Sequence, residues 1–94
     1  MKFNSAVADI REHILKARLE TVAKNIGNAR AELDLIDELF SEDMAFAPEE
    51  SKKTINELQT SVKKTKSEID TDLPSAVNRL NSLWFEMSRL LRKA

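Results

Sequence analysis

The chain has 94 residues, with 15 Lys and Arg against 16 Asp and Glu, one His, one Gly, two Pro and no Cys. That length is one domain, and the missing cysteine excludes disulfides, thiolate nucleophiles and Cys-based zinc sites. A lone glycine rules out phosphate-cradling loops, a lone histidine rules out two-imidazole metal sites, and so few turn formers exclude a β-sandwich, which leaves an all-α class.

Ser5 is expected to cap the first helix with its hydroxyl. Apolar residues then recur at Val7, Ile10, Ile14, Leu15, Leu19, Val22, Ile26, Ala29, Leu33, Ile36 and Phe40. From Leu15 onward the steps alternate four and three, as in a helix that packs lengthwise against others. Gly27 lies inside this run. The register crosses it unbroken, which favours one long helix over residues 5–43. The alternative makes Gly27 the C′ residue of one helix, with Asn28 capping the next.

Pro48, Glu49 and Glu50 open the second block, residues 48–70, because proline loses nothing in a first turn and carboxylates complement the helix dipole there. Its stripe is Ile55, Leu58, Val62, Thr65 and Ile69. Pro74 disfavours helical geometry at Leu73 and so ends the block around Thr71–Pro74. The last block, residues 74–93, carries Ala76, Val77, Leu80, Leu83, Trp84, Met87, Leu90 and Leu91, the broadest apolar face in the chain. The expected fold is an antiparallel bundle of three helices with a long first helix, or of four if the chain breaks at Gly27. A continuous first helix of about 35 residues spans roughly 52 Å. It overhangs the other two and leaves apolar surface for a second copy, whereas four matched helices permit a monomer.

Charge is segregated along the chain. Residues 31–50 hold eight carboxylates (Glu32, Asp34, Asp37, Glu38, Glu42, Asp43, Glu49 and Glu50) and no Lys or Arg. The following basic stretch contains Lys52, Lys53, Lys63, Lys64 and Lys66. Folded as a hairpin, the two stretches face each other, with Lys52 and Lys53 near Glu38 and Glu42 and Lys63 near Glu32. Such pairs set orientation more than stability. A sharper reading makes Glu32, Asp34, Asp37, Glu38, Glu42 and Asp43 a row of negative charge that imitates nucleic acid. A small inhibitor of the phage type would use it to occupy a basic cleft. Direct nucleic-acid binding is not expected, because the isoelectric point is near 5.8 and no aromatics interleave with the bases.

His13-Ile14-Leu15-Lys16-Ala17 resembles the H-x-L-K-G core of histidine phosphotransfer domains. The resemblance implies an exposed His13 that accepts a phosphoryl group and a Lys16 that steadies it. Ala17 stands where that family has glycine. Met44, Phe46 and Phe85 are the candidate hydrophobic contacts, since Phe85 falls off the stripe that holds Trp84 and the other two lie in a loop. Asp34 and Glu38 have the spacing of a metal-binding face but lack the histidines of a di-iron set. No metal or other cofactor is expected.

The opening residues meet Asp9 before an apolar run develops, and no uncharged apolar stretch approaches a membrane span. These observations lead to an expected cytoplasmic, non-catalytic protein–protein interaction module. It would be a small regulator or adaptor that forms a homodimer through the first helix and the Trp84 helix.

Overall fold

Four stripes at helical spacing can be buried together only if the helices that carry them lie side by side. The computed structural model describes the backbone of residues 2–93, and every side chain among them except Lys2, Asp43, Phe46, Arg92 and Lys93. It contains α1 (Lys2–Val22), α2 (Ile26–Asp43), α3 (Glu49–Thr71) and α4 (Leu73–Lys93), with a short 3-10 turn at Met44–Phe46. No strand occurs among the described residues. Connections this short force antiparallel neighbours. Accordingly α1 packs on α2 and α4, and α3 packs on the same two helices. The longest dimension is 35 Å, the length of a single helix of about 23 residues at 1.5 Å each.

The continuous 5–43 helix does not form, and the break precedes Gly27. α1 ends at Val22 in a Schellman turn: the Lys24 N–H donates to the Thr21 carbonyl at 3.0 Å and the Asn25 N–H to the Glu20 carbonyl at 2.9 Å. The turn needs a left-handed residue, and Lys24 takes that role with φ 64°. Gly27 instead lies in the first turn of α2, where a Cβ would meet nothing within 4 Å. The overhang that the long helix would have created is therefore absent.

The unbroken register was a coincidence of two faces. The α1 residues that enter the core are Val7, Ile10, Ile14, Ala17 and Thr21, whereas Leu15, Leu19 and Val22 are 40%, 55% and 55% exposed. After the turn the stripe Ala29, Leu33, Ile36 and Phe40 is buried. Steps of four and three from Leu15 to Phe40 thus begin on the outside of one helix and continue on the inside of the next. The hydroxyls of Thr21 and Thr65 lie within the core, satisfied by donation to the Ala17 and Ser61 carbonyls.

The other boundaries shift by a residue or more. α1 begins at Lys2, so Ser5 is inside the helix and not its cap. Pro48 is the N-cap of α3, and that helix begins at Glu49. Asp72 closes α3 through its N–H to the Glu68 carbonyl and opens α4 with its carboxylate. That carboxylate accepts the Ser75 N–H at 3.3 Å and the Ser75 hydroxyl at 2.7 Å. These hydrogen bonds hold the Asp72 carboxyl below the ordinary range, the hydroxyl contributing most. Leu73 is helical despite the proline that follows it, contrary to the expectation from sequence, and Pro74 sits in the first turn of α4, where its missing N–H costs no hydrogen bond.

Candidate interaction surface

The acidic segment is divided by the fold. Lys66 reaches from α3 to Asp34 at 3.0 Å and Asp37 at 3.7 Å, and Asp37 also accepts from the Gln59 amide at 3.1 Å. The Asp34 hydrogen bond, with the charges of both carboxylates, raises the Lys66 pKa above its usual value. Glu32 faces His13. Glu38 and Glu42 point to solvent, and the Asp43 side chain lies outside the described residues. The expected hairpin pairing of acid with base is therefore present, but through other partners. Lys52 binds Glu49 on its own helix at 3.0 Å, and Lys63 is exposed.

His13 is set against α2 and is not the open surface histidine that the phosphotransfer resemblance implies. Its side chain is 19% exposed, its Nδ1 lies 2.9 Å from a Glu32 oxygen, and its Nε2 lies 3.8 Å from Asp9. A phosphoryl group arriving at either ring nitrogen would meet a carboxylate. Lys16 lines the adjoining α1–α2 groove with Leu19, Glu20, Asn28, Ala31 and Glu32. Among the described residues, no group of three or more His, Cys, Asp or Glu is placed to hold a metal ion. No helix described is long and apolar enough to cross a membrane.

Of the three candidate hydrophobic contacts, only Phe85 is found exposed, at 63%. Met44 is 5% exposed and closes the end of the core beside Phe40 and Ala47, because the 3-10 turn folds it inward. The Phe46 side chain lies outside the described residues. Phe85 packs edge-on against Trp84, with ring centres 5.3 Å apart at 87°. The Arg11 guanidinium lies 5.4 Å from the centre of the Trp84 ring and donates to the Ser88 hydroxyl at 3.2 Å. Trp84 is only partly buried, its ring packed on the core from the edge.

Two hydrogen bonds fix the register of α1 against α4, Arg11 to Ser88 and Arg18 to Asn81. Leu15 lies between the two arginines in sequence and Phe85 between their two partners. The antiparallel pairing thus sets Leu15 and Phe85 at one level. Leu19 and Val22 continue the same outer row of α1 by steps of four and three. The four large apolar side chains exposed among the described residues, Leu15, Leu19, Val22 and Phe85, therefore lie on two neighbouring helices, α1 and α4. Sequence reasoning found Phe85 but assigned the three α1 residues to the core. Their distance from the Val7–Ile10–Ile14–Ala17 row, a shift of about 100° per residue, was the available signal.

The chain matches no known protein family. Neither the curated proteins nor the solved structures include one that is significantly similar to it. The surface itself carries the functional argument.

Proposed function

We propose that this protein is a non-catalytic protein–protein interaction module, a small regulator or adaptor, that binds through the α1–α4 face. The single observation that carries this reading is the exposure of Leu15, Leu19 and Val22 along the outer row of α1, with Phe85 exposed at the level of Leu15 on the neighbouring α4. Exposed apolar side chains scattered singly are ordinary, but a contiguous group with a polar rim marks a contact surface. Phe85, backed by Trp84 and Arg11, is the kind of rigid aromatic anchor that dominates interface energetics.

The acidic inhibitor is the competing reading, and it rests on what remains outward, Glu38, Glu42 and Glu50. Capture of binding proteins on immobilised chain separates the two. The apolar reading expects Leu19→Glu and Phe85→Ser each to abolish capture while Glu38→Gln with Glu42→Gln leaves it intact. Loss with the neutralised carboxylates alone, accompanied by steep salt dependence, would transfer the function to the acidic side.

A further inference from the structure

Resting on the reading of this protein as an interaction module, we infer that the seam between α1 and α4 receives an acidic protein segment, whose carboxylates pair with Arg11 and Arg18. The charge pattern around the bundle supplies the argument. Each of the other three seams matches a base with an acid: His13 with Glu32 between α1 and α2, Lys66 with Asp34 between α2 and α3, and Arg79 with Glu68 between α3 and α4. Between α1 and α4 the two cross-helix hydrogen bonds run from Arg11 to the Ser88 hydroxyl and from Arg18 to the Asn81 amide oxygen, so both acceptors are neutral. Neither arginine takes part in an ion pair among the described residues.

The sequence places no carboxylate within reach along the seam. The positions three and four residues from either arginine are Val7, Ala8, Ile14, Leu15, Thr21 and Val22, and the same positions around Asn81 and Ser88 hold neither Asp nor Glu. Glu12 lies about 100° round the helix from Arg11, and Glu86 is already matched by Arg89 at 3.0 Å. A chain that is slightly acidic as a whole thus keeps one seam purely basic.

Both guanidinium groups are held before a partner arrives, which lowers the ordering cost of binding. Arg11 uses one Nη1 hydrogen for Ser88 and rests on the Trp84 ring, and Arg18 uses its Nε hydrogen for Asn81. A guanidinium carries five N–H donors, so each keeps donors for a carboxylate. The two arginines are seven residues apart, about 10.5 Å along the helix. Carboxylates three residues apart on an extended segment span about 10 Å and match that spacing. Leu15 and the exposed Phe85 stand between the two cations, which favours a peptide over a phosphodiester backbone that carries no apolar side chain there.

Fluorescence anisotropy of two labelled peptides tests this. One carries aspartates three residues apart with two leucines between them, and the control carries asparagine at both acidic places. At low salt the acidic peptide is expected to bind about tenfold tighter than the control, and the preference weakens as salt rises. Arg11→Gln with Arg18→Gln removes the preference with the helical circular dichroism unchanged, and Arg11→Lys with Arg18→Lys keeps part of it. Lys53→Gln with Lys63→Gln, on α3, leaves it as it was. Equal or undetectable binding of the two peptides overturns the inference, as does a preference that survives the loss of both arginines. A single-stranded oligonucleotide that displaces the acidic peptide, and itself needs both arginines, overturns it in favour of nucleic acid. Should the preference be absent while Leu19→Glu still abolishes capture, the interaction module stands and only the acidic partner is lost. Absence of both loses the two together.

Discussion

Lys24 occupies a backbone conformation that glycine adopts at little cost, while the chain's glycine occupies one that suits alanine. A non-glycine residue in the left-handed region costs about 1 kcal/mol or more, because Cβ crowds the carbonyl oxygen. Lys24→Gly is therefore expected to stabilise the protein by about 1 kcal/mol. Gly27 has a helical φ and open space around its missing Cβ. Gly27→Ala is expected to add about 0.5 kcal/mol by restricting the unfolded chain. Denaturant melts of the two variants check both values, and a loss at either position contradicts this account of the turn. The misplaced glycine is also why the break was hard to locate in the sequence. Residue type points to Gly27, and only the hydrogen bonds from Lys24 and Asn25 show where the helix stops.

At the scale of the element, each helix was legible as a helix, but its inward face was not always so. α3 shows the easy case: Ile55, Leu58, Val62, Thr65 and Ile69 make a single narrow stripe, and all five are buried. α1 shows the hard one, with enough apolar residues for two rows. The contrast is measurable. Ile14→Ala removes a fully buried side chain and is expected to cost 2–5 kcal/mol, whereas Leu15→Ala, one residue on, costs about 0.5 kcal/mol or less in monomer stability. Similar losses at both positions would show that the outer row is packed within the monomer. The α3–α4 junction depends on a capping residue. Asp72→Ala should lower the melting temperature by a few degrees and fray the start of α4, while Asp72→Asn, which keeps an acceptor oxygen for the Ser75 N–H, should recover most of the loss.

For the molecule as a whole, polar contacts tie each helix to its neighbours around the outside of the core. His13 meets Glu32 across α1 and α2, Lys66 meets Asp34 across α2 and α3, and Arg79 holds Glu68 across α3 and α4. Arg11 and Ser88 complete the circuit between α4 and α1. Arg79 grips Glu68 with two hydrogen bonds of 2.8 and 2.9 Å, which hold the Glu68 carboxyl below its ordinary value of 4.5. A depressed carboxyl pKa contributes stability that is complete above 4.5 and is withdrawn as pH falls through the lower folded-state value. Lys66, raised above 10.5, works in the opposite sense and withdraws its share only in strong base. Thermal melts should therefore fall on acidification below 4.5, and Glu68→Gln should flatten part of that fall. Glu68→Gln with an unaltered acid profile would assign the loss to other carboxylates.

Composition and spacing alone determined that this chain is helical, that it forms a bundle, and that thiolate, Cys-based zinc and two-imidazole metal chemistries lack their residues. Those properties depend on which side chains exist and how often they recur along one helix. The tertiary structure decided where α1 stops, which of its two apolar rows turns inward, and which carboxylates are already matched by a base. These depend on the rotation of one helix about its axis relative to the next. A three-residue turn resets that angle, and spacing read across the turn carries no record of it.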